Sequence, residues 1–452
     1  MKQEVNSMPK VLHITTHMGG GIGKFLSETL IYEKTHRSPF EHKIILLEQP
    51  KKKQFVEICE NNGIDVLIKD QNTNFYDDFK EADLVVLHWW HNPVMSGFLR
   101  KFPPIEIGLV LWVHVSGCTY PSFPAELALL PHKTVFTTAF SYDNSAWSSE
   151  ERNKIKEQST VLFGLGVNAV SHKPVTLRSS GEEFRIGYVG TLSESKIHPE
   201  FALFCKAVLK EIPSSRFILV GDLNGNEKIF RDIQDYGIAE RFEFVGYTDR
   251  VDEQLETLDV FGYPLNPYHF GTTENVVLEA MSIGLPVVML NQCTEKYIVT
   301  HKTDGLLANN AEEYVKLMRY LYYSPDERVR IGENAKETVL NKYSIKRNVE
   351  GMRKVFYNEI SRPKRLFDFN SIFGIEPYEW FLSCLGEDKK MFCDSLDQGL
   401  MTNRNRKTEI IDAIQNCRPI LRGQGKSSVL QFAETYPNDN VLSFWRGMVQ
   451  SQ

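Results

Sequence analysis

The chain has 452 residues, more than one hydrophobic core accommodates, so two domains and an appendage are expected. Hydrophobic residues make up 42% and charged residues 24%, as in ordinary globular enzymes, and the formal charge of -6 argues against a protein that coats nucleic acid. Seven cysteines, an odd count with no C-x-x-C pair, suit scattered thiols in a reducing compartment, not a disulfide framework or a zinc site.

Residues 1–9 are polar and lack an apolar signal core. The most apolar run, Ile107–Val115, is far shorter than the roughly 20 residues that span a bilayer. A cytoplasmic location is expected.

Short β-branched or aromatic runs then alternate with longer amphipathic stretches, the pattern of βαβ units around a parallel sheet. Strands are predicted at Lys10–Thr16, Lys43–Leu47, Asp65–Ile68, Leu84–His88, Leu109–Val115, Thr134–Thr137 and Thr160–Phe163, with helices such as Lys24–Glu33 and Gln54–Asn62 between them. The polar segment Ser171–Glu183 reads as a linker. The alternation restarts with strands at Phe184–Val189, Arg216–Val220, Phe242–Val245, Val260–Tyr263, Pro286–Leu290 and Gly305–Leu307. Helices are predicted at Pro199–Glu211, Asn226–Asp235, Asp249–Leu258 and Glu274–Ile283. Ser324-Pro325-Asp326-Glu327 has the form of a capping box with proline at the first helical position, and Ser344 looks like the cap of the next helix. From Arg362 the pattern is helical and aromatic-rich (Phe367, Phe369, Phe373, Tyr378, Trp380, Phe381), which predicts packing on the body. The resulting division is an N-terminal domain over 1–172, a second domain over 183–360 and a helical extension over 361–452, packing across the domains.

The most informative phrase runs from Tyr268 to Val288. After the strand Val260–Tyr263, Thr272 or Thr273 is placed to cap a helix starting near Glu274. Val276, Val277, Ala280 and Ile283 fall on the face expected to pack on the sheet, and Asn275 and Glu279 on the other. Gly284 is expected to end the helix in a left-handed cap. A helix N-terminus at the carboxyl edge of a parallel sheet offers free amides to a phosphate, here those near Thr273, Glu274, Asn275 and Val276. One turn on, Glu279 is placed to accept from a sugar diol. A surface helix with incidental acids would show the same spacing.

This phrase resembles the donor site of family 4 glycosyltransferases of the GT-B fold, whose pattern runs Glu-Gly-Phe-Gly, four residues, Glu-Ala-Met-Ala, then Gly-x-Pro-Val-Val. Glu279-Ala280-Met281 and Gly284-Leu285-Pro286-Val287-Val288 match it. The resemblance implies that Glu279 binds the ribose of the nucleotide. The family's first glutamate, which contacts the donor sugar, would fall at Gly271, and Glu274, three residues later, is the candidate to reach the same space. The family's Gly-Arg-Leu-x-x-x-Lys-Gly loop is matched by Gly190-Thr191-Leu192-Ser193-Glu194-Ser195-Lys196, with threonine in the arginine's place. Cleaving a sugar–diphosphate bond builds negative charge on the leaving oxygen, which a fixed cation such as Lys196 would stabilise. The alternative for Lys196 is a solvated loop lysine. Gly246-Tyr247-Thr248 matches the base-binding loop.

In the first half, Gly19-Gly20-Gly21-Ile22-Gly23-Lys24 stands where the family has a glycine loop facing donor phosphates and acceptor, and it is not a Walker A loop. His114 matches the family's strand-end histidine near the donor sugar, although a lone histidine is often structural. His88 and His91 either line an acceptor cleft or pack in the core. No Asp-x-Asp triplet occurs, which agrees with a lysine and a helix N-terminus in place of a metal.

The resemblance covers about residues 10–360. It implies two Rossmann-like domains facing each other across a cleft, and retaining, metal-independent transfer of a sugar from a nucleotide-diphosphate sugar to an acceptor hydroxyl, without a cofactor. A UDP-sugar is the donor favoured on base rate. The acceptor class is a glycan, a lipid-linked molecule or a protein, with cell-surface glycan synthesis a common use. The extra length of the tail suggests a peripheral membrane or oligomer contact. Two alternatives stay open: a non-catalytic GT-B protein that binds a partner, and an epimerase or phosphorylase of the same fold.

Overall fold

In the computed structural model the described residues are 8–70, 73–163, 182–222, 227–248, 250–269, 271–423 and 427–450. The linker expected at 171–183 lies, up to residue 181, outside them. The chain divides into two compact units, Met1–Gly164 with Val349–Gln452, and Leu165–Asn348.

The first unit is built on a seven-stranded sheet in the order β3-β2-β1-β4-β5-β6-β7. Its strands are β1 Lys10–Thr15, β2 Glu41–Leu46, β3 Asp65–Ile68, β4 Leu84–Trp89, β5 Leu109–Val113, β6 Lys133–Phe136 and β7 Ser159–Val161. Every pairing is parallel. The central strand β4, Leu-Val-Val-Leu-His-Trp, is buried at every position, as a strand covered on both faces must be. Strand order reverses between β1 and β4, and at such a switch point the connections leave the carboxyl edge in opposite directions and open a crevice.

The second unit repeats the plan with six parallel strands in the order β10-β9-β8-β11-β12-β13. They are β8 Phe184–Val189, β9 Ser215–Val220, β10 Phe242–Gly246, β11 Val260–Tyr263, β12 Val287–Leu290 and β13 Leu306–Ala308. Here the reversal lies between β8 and β11.

The helix Ile345–Ile360 carries the chain from the second unit into the first, where Met352, Val355 and Phe356 join the core beneath β1, β2 and β5. Sequence pattern alone put that boundary near residue 360. The aromatic tail continues the same unit: Phe369, Phe373, Phe381, Phe392, Phe432 and Trp445 share one core cluster with Trp89, Phe98 and Phe123. Arg365 bridges Ile107 at the sheet margin, Ser122 N–H donates to Cys384 O at 2.8 Å, and Tyr436 Oη donates to Pro93 O at 2.9 Å. No described helix is long and apolar enough to cross a membrane.

Two local expectations are corrected. The helix Pro325–Lys342 begins with proline as read, but Ser324 makes no side-chain cap: the Glu327 N–H donates to the Ser324 carbonyl at 3.1 Å, and the Glu327 carboxylate is held by Arg330 and Tyr320. The stretch expected as a glycine loop is instead the first turn of the helix Gly20–Thr35. A Cβ on Gly23 would lie 2.2 Å from the Met18 carbonyl oxygen, so glycine there lets the turn close under the strand end, whereas Gly20 and Gly21 face open space.

Candidate active site

The chemistry-bearing groups of the second unit gather at its switch point, beyond the carboxyl ends of β8 and β11. Lys196 sits in the turn after β8, where its N–H donates to Ser193 O at 2.9 Å and its carbonyl accepts from Asn266 N–H at 2.9 Å. Its ammonium reaches Glu274 Oε1 at 2.6 Å and Oε2 at 2.7 Å. Tyr263, the last residue of β11, donates its hydroxyl to Glu274 Oε2 at 2.9 Å. An ammonium has three donors, and with two directed at Glu274 the third is available to a further acceptor.

Glu274 has φ +48° and ψ +66°, a left-handed conformation uncommon for a residue with a side chain. It, and not Thr272 or Thr273, is the cap residue of the helix Asn275–Ser282, and its carboxylate turns away from the helix amides toward Lys196. A Cβ built on Gly271 would lie 1.7 Å from Glu274 Oε1. The carboxylate therefore occupies the space that a side chain at position 271 would take. Burial alone would raise its pKa, but the Lys196 charge, His269 and the hydrogen bonds from Lys196 and Tyr263 outweigh it and hold the group below the ordinary 4.5.

Behind the pair lies a second polar layer that the sequence did not single out. His269 is fully buried, its Nδ1 accepts from Gly271 N–H at 3.0 Å, and its Nε2 faces the Glu295 carboxylate at 3.1 Å. That pattern puts the proton on Nε2. His269, Cys293 and Glu295 each bring one donor atom within 4.8 Å of the others, a spacing that could hold a metal ion. Each is engaged with protein, the Cys293 thiol donating to Pro267 O at 3.2 Å.

The helix packs through Val277, Leu278, Ala280 and Met281, while Val276 is only half-buried. Val276 thus joins Asn275 and Glu279 on the partly open side. Asn275 Oδ1 is buried and has no hydrogen-bond partner among the described residues. Thr273 is buried at the helix start. Gly284, at φ +80°, supplies the left-handed cap.

Glycines line the neighbouring strand ends. Gly190, at φ +147°, donates to Val220 O at 2.9 Å, and Gly221 donates to Gly246 O at 2.9 Å. A Cβ on Gly221 would lie 2.0 Å from Gly190 O, so the strand ends close only without a side chain there. Beyond Gly246, Tyr247 is 60% exposed and Thr248 Oγ1 accepts from Arg250 N–H at 3.1 Å. Sequence reading singled out Gly190, Gly246, Tyr247 and Thr248 at these strand ends but not Tyr263, His269, Glu295 or Gly221, which the structure places beside them.

In the first unit the corresponding edge carries His114, one residue past β5. Its N–H donates to Trp89 O at 2.9 Å and its Nε2 lies 2.9 Å from His88 Nδ1. The ring is largely enclosed beside Phe25, and burial pushes its pKa down to about 3. Of the two readings of His88 and His91, core packing holds. Both are fully buried, His91 against Tyr120 and Phe432 of the tail.

Residues 172–338, under half of the chain, match the family described as glycosyl transferases group 1. Among curated proteins the chain is 23% identical over 204 residues to the UDP-Gal:alpha-D-GlcNAc-diphosphoundecaprenol alpha-1,3-galactosyltransferase of Escherichia coli, covering 44% of this chain and 51% of that one. It is 25% identical over 191 residues to the poly(glycerol-phosphate) alpha-glucosyltransferase of Bacillus subtilis, covering 41% and 27%. The chain thus spans about half the length of the first relative, and less of the second. Solved structures of similar fold include Anabaena HepE in complex with UDP and glucose (TM-score 0.59, 16% identity, 77% of this chain and 100% of that one). A glycosyltransferase from Rickettsia africae superposes with a TM-score of 0.61 at 14% identity, covering 79% and 100%. At such identities the likeness is one of fold, and the fold is that of GT-B transferases.

Proposed function

We propose that the protein is a glycosyltransferase that uses a nucleotide-diphosphate sugar and holds its diphosphate between Lys196 and the start of the helix Asn275–Ser282. The observation that carries this reading is the Lys196–Glu274–Tyr263 cluster at the switch point of a parallel sheet, within the stretch matched by a transferase family.

In this reading the third Lys196 donor and the first helix amides take up the charge that develops on the leaving diphosphate. Lysine and amides supply that stabilisation without a divalent ion, so the reaction is metal-independent. Glu274 does two things: it fixes the ammonium before substrate arrives, and it stands where the sugar-contacting glutamate of similar proteins would project. Glu279, one turn along, binds the ribose, and Gly190, Gly246, Tyr247 and Thr248 line the base side. Gly20, Gly21 and His114 remain the first unit's own candidates for substrate contact.

The cluster offers no carboxylate clear of its own ion pair to serve as nucleophile. Retention, which the family resemblance implies, would without such a nucleophile proceed by attack on the same face, with the leaving phosphate accepting the proton of the acceptor hydroxyl. The relatives named above act on a diphosphoundecaprenol-linked sugar and on poly(glycerol-phosphate). By analogy the acceptor here is a hydroxyl of a cell-surface glycan or its lipid-linked precursor.

The test is to incubate the protein with a panel of nucleotide sugars and such acceptors, following released nucleotide and new glycosidic bonds by mass spectrometry. A new glycoside with one donor is expected. Interconversion of the free donor sugar, or binding without nucleotide release across the panel, would replace transfer with one of the alternative activities of the fold.

A further inference from the structure

Four histidines of the first unit form a continuous row. His42 lies on β2, His13 on β1, His88 on β4, and His114 follows β5, so they occupy adjacent strands of the sheet. His42 pairs across from Val11, His13 from Val86 and His88 from Trp112, so each ring sits two residues further along the next strand. A step of two keeps every ring on the same face. The links are His42 Nδ1 to His13 Nε2 at 3.0 Å, His13 Nδ1 to His88 Nε2 at 3.0 Å, and His88 Nδ1 to His114 Nε2 at 2.9 Å.

Each link needs one N–H and one lone pair. Four neutral rings carry four N–H groups, three fill the links, and the fourth is left at one end. Only two arrangements satisfy this: all four protons on Nδ1, or all four on Nε2. Burial keeps the rings neutral, holding His13 and His88 well below the ordinary 6.5, His42 at about 4 and His114 at about 3.

Ser38 separates the two arrangements. Its hydroxyl donates to Phe40 O at 2.9 Å and lies 3.4 Å from His42 Nε2. With the hydroxyl proton committed to the carbonyl, Ser38 Oγ can only accept from His42, which places the proton on His42 Nε2. We propose that Ser38 thereby sets the tautomer of His114 through His42, His13 and His88: every ring carries its proton on Nε2, and His114 Nδ1 is a bare lone pair. That nitrogen has no hydrogen-bond partner among the described residues. It accepts from a hydroxyl and repels a phosphate oxygen. This last consequence rests on the proposed function; the tautomer does not. Ser38, His42, His13 and His88 are then positioning residues.

The test is [15N]histidine labelling of the full chain without ligand, reading imidazole tautomers from long-range 1H–15N spectra, with His114→Gln identifying the His114 signals. The wild-type His114 is expected as neutral Nε2–H. Ser38→Ala is expected to convert it wholly or partly to Nδ1–H, and Ser38→Thr, which keeps the hydroxyl, to leave it as in the wild type. A wild-type His114 that is Nδ1–H or doubly protonated at neutral pH overturns the proposal, as does an unchanged tautomer in Ser38→Ala. If Ser38→Ala does not fold, the wild-type spectrum alone decides. Because no substrate is involved, failure of the transferase reading would leave these results standing.

Discussion

The two units share a sheet plan and bury polarity in opposite ways. The first hides four neutral imidazoles that satisfy one another along a row. The second hides an ammonium, two carboxylates and a histidine that satisfy one another as charges and donors. Neutral rings cost little desolvation at pH 7 but resist protonation. A buried ion pair costs desolvation at any pH and is held together by its partner. Each arrangement fits what its edge is proposed to meet: sugar hydroxyls in the first unit, a diphosphate in the second.

Acid should break this comparison most visibly. The folded pKa values of His13, His42, His88 and His114 lie below 6.5. As pH falls below 6.5 the unfolded chain therefore takes up protons that the folded chain refuses. Stability is lost at up to about 1.4 kcal/mol per pH unit for each ring. Glu274 has the opposite chemistry: its pKa is depressed below 4.5, so its contribution is complete above that value and lost only as pH falls further. His198 and His301 give the second unit a weaker slope of the first kind. Hydrogen exchange at pH 7 and pH 5 should show the first sheet losing protection before the second; the reverse order would reject the neutral row.

Lys196→Ala attacks the charged arrangement directly. It should raise the barrier to sugar transfer by roughly 2–4 kcal/mol. It should also lower the melting temperature, because a carboxylate whose side chain is 5% exposed loses its cation. Steady-state kinetics with near wild-type turnover would dismiss the leaving-group role.

Gly271→Ala sharpens the question of Glu274. The new methyl would displace the carboxylate and press on the buried His269 ring, 2.8 Å from its Nδ1, so some stability should be lost while kcat/KM drops about tenfold, or about 1.4 kcal/mol. Full activity with a displaced carboxylate would mean that Glu274 only anchors the loop.

The smallest expected effect is at Gly21, helical and facing open space. Gly21→Ala should stabilise the first unit by about 0.5–1 kcal/mol in a denaturant melt. A weaker affinity for donor in the same protein would mark that face as one that substrate approaches.

Much of this was legible in the chain itself. Strands such as Phe184–Val189 and Val260–Tyr263 stand where their β-branched and aromatic runs place them, because a parallel strand buried on both faces must be an apolar run with abrupt ends. Lys196 and Glu274 could be named because they flank such runs at motif spacing. Their contact with each other, and the displacement of the carboxylate into the space beside Gly271, depend on a left-handed residue that no local pattern marks. The histidine row was less legible still. His88 and His114 drew notice as strand-end residues and His13 and His42 did not, and the four become a row only through the strand order and a repeated two-residue offset between strands. Ser324 failed as a cap because its carbonyl takes the Glu327 N–H, while Arg330 and Tyr320 hold the Glu327 carboxylate. The tail's aromatic pattern announced burial, but not that its partner would be the first unit.

The central claim is a location: the diphosphate of a nucleotide sugar at the Lys196 ammonium and the first amides of the helix that carries Glu279. A crystal structure of the protein soaked with a nucleoside-diphosphate sugar tests it most directly. The account predicts phosphate density within hydrogen-bond reach of Lys196 and of the Asn275 and Val276 amides, with the ribose at Glu279. Clear nucleotide density elsewhere in the molecule, with the Lys196–Glu274 pair untouched, would contradict it.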